Sequence, residues 1–579
     1  MLQLARRFFG PYKAFLTLGP IAKVVEVIFD LLTPLVIAWM IDAGVVSNDV
    51  HVLFAGGGLL ILFAILGILF TLVTQKMASI TSQGIGTHIR EALFIHVNRL
   101  SFQDLDSFGH SSLLTRITND TNQIQLACAM LIRQVIRWPI LAVGAIVCAL
   151  VLSPTLGLIF LICLPVIALV FYLIMKRQVT FFQAMQMWLD KVGLLVSENL
   201  SGVRVIRAFC REKIESKRFE EATAELARSG TYAAGLSAIL NPTTFLVING
   251  GICFILWLGA MQVEAGSLQP GQVMAFIGYL NQLLVSIAYV ANLVVIFTRA
   301  EASAQRINAV LDWKPSVDRG GDALPMSAHT SEAQLKFLDV SFSYPGANVN
   351  ALNNISFSLQ RGEQLGIIGG TGSGKSTLAN LIPRMLEPTQ GTVSFEGINA
   401  ASISQGSLHE HIGFVPQHAS LLSGTIRENL TWRNAEATDK ELWEALRIAQ
   451  ATDFVKQKDG QLEAAVSVDG KNFSGGQRQR LTIARALVGK PNLLVLDDSA
   501  SALDYATDAA LRKALKSLSS QLATILISQR VATVRDADKI LVLDKGNMVG
   551  YGTHQDLVKT CPLYLEICRT QLREEEILA

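Results

Sequence analysis

The sequence is short of charge. Asp, Glu, Lys and Arg make up 17% of its 579 residues, against about 25% in an average soluble protein. Neither sign dominates: 49 basic and 47 acidic residues leave a formal net charge of +2. Such a balance gives no bulk attraction to nucleic acid, and no nucleic-acid partner is expected. Cysteine is scarce and unpatterned. Cys128, Cys148, Cys163, Cys210, Cys253, Cys561 and Cys568 include no CxxC pair, and four of them sit inside apolar runs. That argues against a disulfide framework and a zinc site and leaves small apolar packing as their role. Half of the residues are hydrophobic and the mean hydropathy is +0.39. A disordered chain is excluded, and an ordinary cytosolic enzyme does not fit.

What is present in place of charge is long uncharged runs, all in the first 300 residues. Val52 to Thr74 spans 23 residues, Trp138 to Met175 spans 38, Ser229 to Val263 spans 35 and Ala265 to Thr298 spans 34. A bilayer-spanning helix needs about 20. The 38-residue run therefore reads as two helices joined by a turn at Ser153-Pro154-Thr155. Pro20 to Met40 adds another span despite Lys23, Glu26 and Asp30. Six spans are expected, near 16–42, 52–76, 128–152, 155–177, 235–261 and 272–298. The loops near 43–51, 152–154 and 262–271 carry no Lys or Arg, whereas Lys176 to Arg228 carries ten. The positive-inside rule then places both termini and both long loops in the cytoplasm. Met1 to Tyr12 reads as a short amphipathic segment on the inner surface.

The two long loops are mixed in charge and helical in composition, and read as continuations of the spans into water. Turns are expected at Ser107-Phe108-Gly109 and at Ser201-Gly202, with short cross-helices able to dock on a cytoplasmic partner. Lys23, Glu26, Asp30, Arg133 and Arg137 lie toward the inner ends of helices. They either line an aqueous entrance or snorkel to the headgroups. Composition changes at Asp312 to Gln334, where Pro315, Gly320, Gly321 and Pro325 mark a linker. The expected organisation is a membrane domain over 1–311, a linker over 312–333 and an α/β domain over 334–579.

The chemistry lies in that last part. A strand at Gln364-Leu-Gly-Ile-Ile runs into Gly369-Gly370-Thr371-Gly372-Ser373-Gly374-Lys375-Ser376-Thr377 and then a helix from Leu378. This is GxxxxGK[ST] between a strand and a helix, the context its chemistry requires. Glycines let backbone N–H groups turn onto phosphate oxygens, and the helix N-terminus adds partial positive charge. Lys375 would reach the β- and γ-phosphates and Ser376 would ligate Mg2+. A second apolar strand, Leu493 to Leu496, ends in Asp497-Asp498. Asp497 is the candidate to hold Mg2+ through water, and Asp498 stands where a water-activating carboxylate belongs. Ser474-Gly475-Gly476-Gln477 opens another helix at an anion-suited N-terminus.

Together these residues resemble the ABC exporter family, as a half-transporter in which a six-helix membrane domain is fused to one nucleotide-binding domain. The resemblance covers nearly the whole chain, and its motifs occur in the family's order. It implies an all-α transmembrane domain followed by an α/β P-loop NTPase domain of ABC type, with ATP and Mg2+ as cofactors. By the same resemblance, Tyr344 in Phe-Ser-Tyr-Pro stacks on adenine, and Gly369 to Thr377 is Walker A. Gln417 in Phe-Val-Pro-Gln is the Q-loop glutamine that contacts Mg2+. Ser474 to Gln477 is the signature, Leu493 to Asp497 is Walker B, and Ser501-Ala-Leu-Asp504 is the D-loop. Phe108-Gly109 with Arg116-Ile-Thr-Asn-Asp120, and Gly202 to Phe209, match segments that couple the membrane domain to the nucleotide domains.

Two departures stand out. The family usually has Glu where this chain has Asp498, and His where it has Gln529. The shorter side chain draws the carboxylate back by about 1.5 Å, and Gln cannot become cationic as His can. Family nucleotide domains pair head to tail, so both departures face one nucleotide while the intact signature serves the other. The resemblance thus implies a heterodimer with a second half-transporter that carries the missing Glu and His; drift in a slow homodimer is the alternative. The Phe-, Leu- and Ile-rich spans fit small amphipathic substrates such as drugs and dyes, in a membrane-lipid setting. A lipid flippase or peptide exporter is a further alternative. A nucleotide-gated channel or sensor would need a ring of charge along a helix, which the four runs lack. Compact size, short external loops and no transit peptide imply a bacterial plasma (inner) membrane.

Overall fold

The computed structural model describes residues 1–317, 320–324, 333–499, 501–518 and 522–578. Pro325 and much of the expected linker lie outside the described residues. The chain forms two compact units. One holds residues 1–96 and 111–313; the other holds residues 97–110 and 314–579.

Among the described residues of the first unit, six helical stretches are long and apolar enough to cross a membrane: Gly10–Val45, Val50–Val97, His110–Leu152, Pro154–Ala208, Glu212–Glu264 and Pro270–Leu311. Each contains one expected span. The long ones run well past a bilayer's thickness, as their charged continuations predicted. Ser153 is extended and Pro154 starts the next helix, where a missing N–H costs nothing. The apolar window of Val50–Val97 is only 6% buried within the chain, so its hydrophobic surface faces outward, as a lipid-facing helix requires. Small residues let helices approach closely: a Cβ on Gly19 of the first span would lie 2.6 Å from Ile132 of the third. A core of the unit packs Phe160, Phe276 and Tyr279, and the Tyr279 hydroxyl donates to the Leu31 carbonyl at 2.7 Å.

Two expectations need correction. Gly202 lies inside the helix Pro154–Ala208, and the chain turns instead at Phe209 to Arg211. Cys210 takes the left-handed φ of 51° there. A helix tolerates a lone glycine at a cost near 1 kcal/mol, so Gly202 alone could not end one. No separate cross-helix forms at this turn among the described residues, whereas the first loop has one, Phe102–Phe108, ended by Gly109 at φ 74°. The second correction concerns charge. Lys23 and Glu26 are buried and paired at 2.6 Å. Arg137 of the third span donates to Glu26 at 2.6 Å and to Asp30 at 3.1 Å. Lys23 and Glu26 are thus enclosed rather than snorkelling, while Arg137 and Asp30 keep part of their surface open. Two cations and two anions neutralise one another, which is how charge becomes tolerable at membrane depth. Gln282 of the sixth span adds a bond to the Asp30 carbonyl at 2.9 Å.

In the second unit, a six-stranded sheet has the order 547–552, 539–544, 364–369, 523–527, 493–497, 412–415. All neighbours are parallel except the antiparallel edge strand Asn547–Gly552. Leu493–Asp497 and Ala523–Ile527 are buried at every position, as continuous apolar strands covered on both faces must be. A separate four-stranded antiparallel sheet, order 352–359, 335–342, 390–395, 398–399, shares a core with the six-stranded one through Phe337, Phe357, Ile367 and Val495. Parallel sheets gather ligand-binding loops at the carboxyl ends of their strands, and the predicted motifs follow four such ends, after 369, 497, 527 and 415.

Candidate functional site

The site starts from register. Ile527 pairs with Asp497 on one side and Ile367 on the other. The strand leading to Gln529 therefore lies between the strand ending at Asp497 and the strand ending at Gly369. The Asp498 N–H donates to the Ile527 carbonyl, and the Ser528 N–H donates to Ile367. These bonds hold three loop starts side by side.

The glycine loop is shaped by left-handed backbone. Gly372 has φ 77° and Gly374 has φ 99°, conformations that favour residues without Cβ. A Cβ on Gly374 would also lie 2.8 Å from the Ala351 carbonyl oxygen. The loop delivers the chain into the helix Lys375–Leu381. Gly370, Thr371, Gly372 and Ser376 are exposed along its rim, and Lys375 and Ser373 are buried beneath it. Lys375 Nζ donates to the carbonyls of Gly369 and Gly370 at 2.9 and 2.6 Å. Burial holds its ammonium below the usual lysine range, against the pull of Asp498 and Asp497.

Ser376 Oγ donates to Asp497 Oδ1 at 3.4 Å, at the long end of hydrogen bonding. The Asp497 carboxyl is pushed above its ordinary range, chiefly by burial. Asp498 has φ 44°, and its carboxyl is also raised, by burial against the fields of Lys375 and Arg530. Gln417 Nε2 donates to Asp498 Oδ2 at 3.4 Å. Tyr344 remains largely open, and its hydroxyl lies 3.1 Å from Thr377 Oγ1. The structure thus gathers Gly369 to Thr377, Gln417, Asp497 and Asp498 into one site, with Tyr344 at its edge. The exposed Gln529 follows the middle strand, and its carbonyl accepts from Gln571 at 2.8 Å.

Ser474 to Gln477 lie elsewhere. They form a reciprocal capping box at the start of the helix Gly475–Leu487, and bond to none of the Walker residues among the described residues. Gly476 packs against the D-loop: a Cβ there would sit 3.1 Å from the Ala502 carbonyl. Asp504 caps the next helix through Thr507. Sequence reasoning missed Arg530, which lies over the Tyr505 ring at 5.3 Å and donates to the Ser501 carbonyl at 3.4 Å. Its position next to Gln529 was the available signal.

A bundle of six long apolar helices joined to a parallel-sheet domain with a phosphate-type glycine loop defines a membrane protein driven by nucleotide. The family model of the ABC transporter transmembrane region matches residues 16–287, and the ABC transporter family model matches residues 352–501. An uncharacterized ABC transporter ATP-binding protein of Mycobacterium tuberculosis is 34% identical over 99% of this chain and 98% of its own length. One from Bacillus subtilis is 34% identical over 99% of both. An ATP-dependent lipid A-core flippase of Chromobacterium violaceum is 30% identical over 93% of this chain and 91% of its own. A bacterial Atm1-family ABC exporter solved with ATP bound shares the fold, with TM-score 0.79 and 23% identity over 97% of this chain and 99% of that one. The chain belongs to the ABC transporter family, as a multi-pass half-transporter of the exporter type.

Proposed function

We propose that this chain exports small amphipathic compounds, drugs and dyes among them, across a bacterial plasma membrane, as one subunit of a heterodimer whose termini are cytoplasmic. The observation that carries the pairing is the contrast between an intact signature cap at Ser474 to Gln477 and a nucleotide site that has Asp498 and Gln529. Exposed backbone from Gly370 to Gly372, and Lys375 beneath, receive the phosphates of ATP; Tyr344 receives the adenine. Ser376 Oγ and Asp497 Oδ1 offer two adjacent hard oxygens, a donor set that fits Mg2+. Magnesium bound there supplies charge neutralisation across the phosphates. Gln417 steers the Asp498 carboxylate, and Asp498 orients water from a position about 1.5 Å further back than Glu would. Misplacement of that order costs on the order of 100-fold in rate. Gln529 donates to the γ-phosphate without adding charge. The chain's own site then holds ATP and turns it over slowly, while Ser474, Gly475, Gly476 and Gln477, with Asp504 behind them, complete the partner's site. ATP closes the two nucleotide domains, and hydrolysis at the partner's site resets the twelve-helix membrane pair.

The test is ATPase activity of the purified chain, alone and co-expressed with candidate partner half-transporters, with Asp498→Glu/Gln529→His as the matched control. Low activity alone, restored by one partner and dependent on Ser474, supports the reading. Robust substrate-stimulated hydrolysis by the chain alone overturns it. A second reading, a homodimeric lipid exporter, is favoured by the 30% identity to the lipid A-core flippase. It predicts that lipid rather than dye stimulates the chain acting alone.

A further inference from the structure

The short helix Phe102–Phe108 comes from the loop between the second and third spans, yet its segment belongs to the compact unit of the nucleotide domain. Its first turn is tied to the chain that leads into that domain. Asp104 is buried, at 4% exposure. Four donors lie within hydrogen-bond distance of its Oδ2. Two come from Ser101, from N at 3.0 Å and Oγ at 2.8 Å. Two come from Ser316, from N at 3.0 Å and Oγ at 3.2 Å. The hydroxyls of Ser101 and Ser316 are themselves 2.6 Å apart. A capping box needs only the Ser101 half of this arrangement. The Ser316 half joins two segments more than 200 residues apart, with a charged acceptor at the centre.

We propose that Asp104 is a positioning residue that fastens this coupling helix to the linker at Ser316, so that nucleotide-driven movement reaches the second and third spans through the linker as well as through the domain surface. The physical reason is continuity. The helix is flanked by the inner ends of Val50–Val97 and His110–Leu152, so whatever holds residues 101–104 holds both spans. A coupling surface held by apolar contact alone can slide; a buried carboxylate with donors from both segments fixes its register. The inference rests on membership of the transporter family and not on the heterodimer.

The experiment is hydrogen–deuterium exchange on the assembled transporter in lipid nanodiscs, with and without AMP-PNP and Mg2+. Peptides over 369–377 report nucleotide binding, and peptides over 43–51 and 149–157 report the outer ends of the second and third spans. Ser316→Pro removes both Ser316 donors and leaves the Ser101–Asp104 cap in place. Asp104→Asn removes the charge, and Ser316→Thr keeps both donors as the conservative control. The expected result is full protection at 369–377 in every variant. The nucleotide-induced change at the outer ends falls by about 5-fold or more in Ser316→Pro and Asp104→Asn, and stays at the wild-type level in Ser316→Thr. Full transmission in both disrupting variants overturns the proposal. So does a wild type with no nucleotide-driven change at the outer ends, or loss of protection at 369–377 in the disrupting variants, which assigns Asp104 to folding alone.

Discussion

Arg137 offers the sharpest test of how the membrane unit tolerates charge. It reaches from the third span to Glu26 and Asp30 of the first, and Glu26 also holds Lys23. Two cations face two anions. Arg137→Met keeps much of the side-chain volume and leaves one net negative charge in the cluster. Removing one partner of a buried pair costs about 3–5 kcal/mol. The lower end applies here, because the Asp30 side chain is 36% exposed and Glu26 keeps Lys23. Loss of the Arg137 stack on the Trp138 ring, 5.0 Å away, adds about 0.5–1 kcal/mol. A loss of about 3.5–4 kcal/mol lowers the melting temperature by on the order of 5 °C, measured by thermal melting in nanodiscs. The compensating variant is Arg137→Met/Asp30→Asn, which restores neutrality without touching the Lys23–Glu26 pair and should recover more than half of the loss. A single variant that melts within about 1 °C of wild type would refute the reasoning. So would a double variant no better than the single, since the cost would then not be uncompensated charge.

The nucleotide site gives three further predictions. Burial raises the Asp497 and Asp498 carboxyls, so the folded chain binds these protons more tightly than the unfolded chain does. Their contribution to apo stability is therefore lost as pH rises through the raised folded values. Asp497→Asn should raise the apo melting temperature near neutral pH while abolishing the Mg2+-dependent part of stabilisation by ATP, and an equal response to Mg2+ in both proteins would refute the assignment. In the proposed heterodimer with the partner's Walker lysine replaced, Asp498→Glu/Gln529→His should raise residual hydrolysis on the order of 100-fold; a change below about 3-fold means that the carboxylate's reach is not limiting. Ser474→Ala removes a helix cap and should cost about 1 kcal/mol in thermal melting of the chain. It should also stop hydrolysis in the assembled pair, leaving ATP binding to the chain's own Walker loop intact in a nucleotide-binding assay.

Much of this protein is written locally. Charge-free runs longer than 20 residues give five of the six spans, because lipid admits little else of that length; the first is legible from Pro20 to Met40 despite Lys23, Glu26 and Asp30. The glycine loop is legible because strand, positive-φ glycines and helix start lie within a dozen consecutive residues. The cap at Ser474 is legible because its partner is three residues away. The Ser101-x-x-Asp104 pattern advertises a cap in the same way, but nothing in it points to Ser316. The turn at Cys210 escaped because a long helix accepts Gly202, and no local residue marks where the helix must stop.

The sequence by itself therefore determined the class of protein, the number of spans and the nucleotide loop, since each depends on burial or backbone preference within a short window. Only the tertiary structure decided who partners whom across distance. It put Gln417 on Asp498, 81 residues along the chain, and Arg137 on Glu26, 111 residues away. It put Asp104 on Ser316, across 212. Charge and hydrogen bonding act over a few ångströms in space, and the periodicity of a helix or strand carries no record of which distant segment will supply the other atom.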